Sequence, residues 1–128
     1  MNVKVIAILT IVLCVTPISV FSAGGKVTIH NARYLVSMKY LSNNKTYTVD
    51  FSSQNEGGTC RLKGKRNFQV IAVTINENGK EKECTCVDDA LFRWRSRHPV
   101  DLSYNNDGSI EITGTFDRKF KKIQCPCK

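Results

Sequence analysis

The chain has 128 residues, six of them cysteine, with 19 basic and 11 acidic side chains and a net charge of +8. That length allows one domain with a modest core. The charge favours acidic partners such as sulfated glycans, anionic headgroups or nucleic acid, without choosing among them.

The N-terminal residues have the three parts of a secretory leader. Lys4 opens it, an uncharged apolar run follows from Val5 to Val15, and a weaker stretch with Pro17 and small residues closes it. The run is about half the length of a membrane span. Cleavage after Ser22 puts Val20 and Ser22 where the peptidase needs small side chains, with Gly24 as the alternative. Residues 1–22 therefore read as a signal peptide and 23–128 as a single secreted, extracellular domain. Loss of Lys4 leaves 18 basic against 11 acidic residues, near +7. The secretory address argues against intracellular nucleic acid, and none is expected as a partner.

The rest reads as strands. Tyr34, Val36, Met38 and Tyr40 alternate with Leu35, Ser37, Lys39 and Leu41, a period of two rich in β-branched and aromatic residues. Ser42-Asn43-Asn44-Lys45 is a hairpin loop, and it holds the sequon Asn44-Lys45-Thr46, which makes Asn44 a candidate N-glycosylation site. Thr46 to Phe51 then puts Tyr47, Val49 and Phe51 on one face. Asn67 to Ile75 is apolar on both faces, as a central strand is. Asn78-Gly79 accepts positive φ at both centres of a type I′ turn, so Glu77 faces Lys80 and the register continues to Val73 opposite Cys84. Asn105-Asn106-Asp107-Gly108 joins Val100–Tyr104 to Ser109–Phe116, and Lys119 to Cys125 is a final strand. Asp88 to Arg93 has room for one short helical turn, and no stretch of ten residues shows helical periodicity. About eight or nine strands predict an all-β chain: a small antiparallel β-sandwich or a partly closed barrel, stabilised by disulfides.

Removing Cys14 with the leader leaves Cys60, Cys84, Cys86, Cys125 and Cys127, which an oxidising compartment turns into disulfides. Four sit in C-x-C pairs, Cys84-Thr85-Cys86 and Cys125-Pro126-Cys127. Neighbours in C-x-C bridge each other poorly, but on a strand residues i and i+2 share a face, so each pair offers two sulfurs to the other. One or two bridges between the pairs are expected, with Cys60 taking a partner or left over. The odd count suggests one free thiol, or a covalent homodimer. A Cys₄ zinc site is the competing reading, but zinc knuckles use wider spacing, and no metal or cofactor is expected.

Arg93, Arg95 and Arg97 alternate around Trp94 and Ser96; Arg61, Lys63 and Lys65 repeat the spacing, and Lys119 and Lys121 do so in part. On an extended chain each set is a ladder of about 7 Å per step, suited to sulfate or phosphate and equally to keeping a sheet edge soluble. Trp94 is a core residue or a contact aromatic. His30 and His98 match a ribonuclease in number alone. Cystine-knot growth factors also end in C-x-C, but the C-x-G-x-C segment they carry upstream is missing here, and these residues point to no family. The expectation is a secreted, non-enzymatic binding protein, such as a venom toxin or similar effector. Its target would be a receptor, channel, membrane or anionic glycan. A disulfide-linked, cytokine-like dimer and a basic ribonuclease-like hydrolase are the alternatives.

Overall fold

The computed structural model describes residues 10–13, 25–51, 55–64, 67–87, 90–93, 100–116 and 119–127, and only the backbone of residues 10–13, Arg93 and Phe116. Its strands are β1 (Thr10–Leu13), β2 (Lys26–His30), β3 (Leu35–Ser42), β4 (Lys45–Asp50), β5 (Thr59–Arg61) and β6 (Asn67–Glu77), followed by β7 (Lys80–Thr85), β8 (Leu91–Arg93), β9 (Val100–Tyr104), β10 (Ile110–Phe116) and β11 (Lys119–Cys125). They form two sheets. One has the order β1-β4-β3-β6-β7, with β8 also on β6, and the other the order β11-β10-β9-β2-β5. The sheets stay separate, so the architecture is a sandwich and not a barrel. No described helix is long and apolar enough to cross a membrane.

Local chemistry sets the hairpins. Asn43 and Asn44 (φ 53° and 63°) and Asn78 and Gly79 (φ 55° and 83°) take the left-handed values a two-residue turn needs. The second turn fixes Glu77 opposite Lys80 and Val73 opposite Cys84, the register expected above. The third hairpin closes through Gly108 (φ 86°), whose N–H donates to the Asn105 carbonyl. Asp107 accepts from both the hydroxyl and the N–H of Ser109, which holds its carboxyl below the usual range.

The alternation of β3 needs a correction. Leu35 is buried along with Met38 and Tyr40, although strict alternation sends it to the other face. A bulge between Leu35 and Ser37 shifts the pairing with β6 and turns both ends of the strand inward. A second shift, between Lys39 and Tyr40, lets Val70 and Val73 of β6, three residues apart, both face the core opposite Tyr40 and Met38.

The sandwich is also not wholly antiparallel. β2 runs parallel to β9, Val27 opposite Val100. The chain crosses to the other sheet through the 3-10 turn Ala32–Tyr34 directly after β2, so β2 meets its sheet neighbours only when the chain returns. β1 lies parallel to β4, Thr10 opposite Tyr47. It falls within the stretch expected to leave as the leader, so β4 becomes an edge strand if cleavage occurs.

Aromatic residues fill the space between the sheets. Phe68 packs on Tyr40 and Phe92 with ring centroids 6.0 and 5.8 Å apart. The Tyr40 hydroxyl donates to the Lys63 carbonyl at 3.0 Å and accepts from the Lys63 N–H at 2.9 Å; burial pushes its pKa well above the ordinary value. At the hairpin end of β6, Glu77 accepts from Lys82 and from the Tyr104 hydroxyl, tying the sheets together.

Candidate binding surface

The C-x-C pairs assemble the edge where the candidate surface lies. The Asn78-Gly79 turn places Cys84 in the sheet beside β6, and residues two apart share a face. Both sulfurs of the first pair therefore meet both of the second. Cys84 bonds Cys127 and Cys86 bonds Cys125, with Cα atoms 4.2 and 4.3 Å apart. These are disulfides, not zinc ligands. They join β7 of one sheet to the end of β11 in the other.

The seam continues beyond the sulfurs. Lys121 donates to the Leu91 carbonyl at 3.1 Å and sits 5.8 Å over the Phe92 ring. Cys84, Cys86 and Leu91 thus meet Cys127, Cys125 and Lys121 in antiparallel order. Gly114 on β10 makes room for this: a Cβ there would meet Phe92 Cδ1 at 2.8 Å and Val100 Cγ2 at 3.0 Å.

On β11 the core takes Ile123 and Cys125, so Phe120, Lys122 and Gln124 face away from it. Phe120 is 74% exposed, beside exposed Lys119, and opposite Thr115, which lacks the bulk to cover the ring. Lys122 lies 3.6 Å from Glu111. The result is an aromatic ring projecting from a basic strand whose far end is fixed by two disulfides.

The residues expected to contact an anionic partner fall into two places. Arg93 ends β8, beside this seam. Trp94, Arg95, Arg97 and Lys65 lie outside the described residues. Arg61 closes β5 on the far edge of β11's sheet, half-buried and opposite Lys26. Leu62 then turns into the core, and Lys63, exposed, lies beyond the strand. The expected ladder from Arg61 to Lys63 therefore does not continue along one strand. Four strand spacings, roughly 19 Å, separate this edge from β11.

Cys60 takes a partner, one of the two outcomes expected for it. It pairs with Val27 across β2 and β5, is wholly buried, and is itself disulfide-bonded; its partner lies outside the described residues, and no described cysteine is free. The odd-thiol expectation discarded Cys14 with the leader, and Cys14 lies outside the described residues too. A bridge from Cys60 to a second copy requires β5 to leave the core. Asn44 is exposed at the β3–β4 turn.

His30 is held between two carboxylates, Asp101 at 3.1 Å and Glu56 at 3.8 Å. Glu56 also accepts from the Ala32 N–H and lines a shallow depression with Asn31, Arg33 and Asn55. His98 is outside the described residues, so the histidine pair is not assembled among them. Those residues contain no cluster of His, Cys, Asp and Glu able to hold a metal.

Sequence reasoning singled out Lys119 and Lys121, which alternation places on the side of Ile123 and Cys125, and passed over Phe120. The signal was legible: counting by twos from buried Cys125 and Ile123 leaves Phe120 on the polar face. The chain matches no protein-family model, no curated protein and no solved structure.

Proposed function

We propose that this chain is a secreted, non-enzymatic binding protein that engages an anionic partner along the β8–β11 edge. The observation that carries this reading is Phe120, 74% exposed on the outward face with Lys122 and next to exposed Lys119, on a strand whose end two disulfides fix. A fixed basic strand presents its charges without the ordering cost of a loose tail. The leader-like N-terminus and the disulfides support an extracellular site of action.

The test is elution from heparin-agarose in a salt gradient. Lys119→Gln with Lys122→Gln is compared with Lys45→Gln and Lys80→Gln, two exposed lysines elsewhere. Both double variants lose the same charge. Earlier elution of the β11 variant alone supports a localised surface, and equal shifts reduce the binding to net charge.

A further inference from the structure

Phe120 is where the structure says more than charge does. Only Val87, at 48%, joins it as an exposed large apolar side chain among the described residues. A solvated sheet edge gains from lysines, which block edge pairing, but gains nothing from a bare phenyl ring. Phe120 has no polar tip to account for its exposure, and it stands on the outward face with Lys122, next to Lys119.

Two kinds of anionic partner fit the lysines differently. A sulfated glycan is gripped through its charges and offers little apolar surface to bury a ring. A phospholipid surface offers phosphates to the lysines and, a few ångströms deeper, an apolar layer for the ring. Lysine suits this arrangement because its stem lies along apolar surface while the ammonium stays at headgroup level. The strand is held from below by the Cys86–Cys125 bridge and the buried Ile123, so the ring projects from a fixed base.

We infer that the partner is an anionic phospholipid surface. Phe120 enters the headgroup–acyl boundary, Lys119 next to it lies against a lipid phosphate, and Lys122 exchanges its exposed pairing with Glu111 for another. This rests on the anionic-partner reading above and narrows it. One ring and a few lysines give a reversible, salt-sensitive contact, not an anchor.

The experiment is sedimentation of the intact, disulfide-bonded protein with vesicles of phosphatidylcholine alone or mixed with phosphatidylserine, with heparin-agarose run in parallel. The protein is expected to sediment with the serine-containing vesicles and to release with salt. Phe120→Ser should lower that partitioning by roughly tenfold and leave heparin elution unchanged. Phe120→Trp should keep it, and Lys119→Gln with Lys122→Gln should lower both. Vesicle binding unaffected by Phe120→Ser overturns the inference. Site-dependent heparin binding without vesicle binding removes the lipid and leaves the anionic-partner reading standing. Loss of Lys119 and Lys122 without effect on either surface removes both.

Discussion

The two C-x-C bridges close almost the same loop, and this makes a sharp energetic prediction. Their sequence separations are 43 and 39 residues. On the chain-entropy relation, either bridge alone stabilises the fold by about 4 kcal/mol. The second bridge closes only the small ring formed by residues 84–86 and 125–127, which contributes about 2 kcal/mol. Replacing one pair by alanine should therefore cost about 2 kcal/mol, because the other still holds the long loop. Replacing both should cost about 6 kcal/mol, enough to bring a small domain to the edge of unfolding. The excess over additivity, about 2 kcal/mol, is the quantity to measure. Packing losses from the missing sulfurs largely cancel in the cycle, since the same side chains are removed in both arms. Urea unfolding of the native protein, Cys84→Ala/Cys127→Ala, Cys86→Ala/Cys125→Ala and the four-site variant supplies the numbers, with thiol titration confirming the remaining bridges. Additive losses would falsify the shared-loop reasoning and place the stabilisation in native packing.

Gly114→Ala should destabilise the sandwich by about 1–3 kcal/mol, because the new methyl drives into the buried Phe92 ring; the urea midpoint reads it, and Phe92→Leu in the same background should recover part of the loss. The Lys82 ammonium and then the Tyr104 hydroxyl hold Glu77 below its ordinary 4.5. A depressed carboxylate contributes stability that is complete above its unfolded value and is lost as pH falls through its folded one. The native protein should thus lose more stability than Glu77→Gln between about pH 5 and about pH 3 in urea titrations; equal losses contradict the pairing. Tyr104 is pushed up to about 12 by donating to Glu77, so its contribution is complete below the unfolded value near 10 and fades as pH rises towards 12. Tyr104→Phe should flatten that alkaline limb. Replacing Arg93, Arg95 and Arg97 with serine should move heparin elution to lower salt, and unchanged elution removes those arginines from the binding surface.

The sequence by itself determined what short-range geometry controls. Asn78-Gly79 dictates a two-residue turn, and that turn alone places Val73 opposite Cys84. The i, i+2 rule then makes each C-x-C present both sulfurs to one side, so the pairs bonding each other was legible before any fold was known. The length and double-sided apolarity of the 67–75 stretch likewise placed it in mid-sheet. The tertiary structure decided what depends on partners distant in the chain. No local signal sets β2 parallel to β9, because that choice depends on which faces remain to be buried after the crossover. The bulge at Val36 that draws Leu35 inward comes from fitting β3 to β6, and Cys60 lies in the core because β5 pairs with β2. The basic edge is decided in the same way. Lys119, Phe120 and Lys122 are an ordinary polar strand until the disulfides and the Lys121–Leu91 contact fix that strand against β8, with the core on one side and Phe120 left on the other.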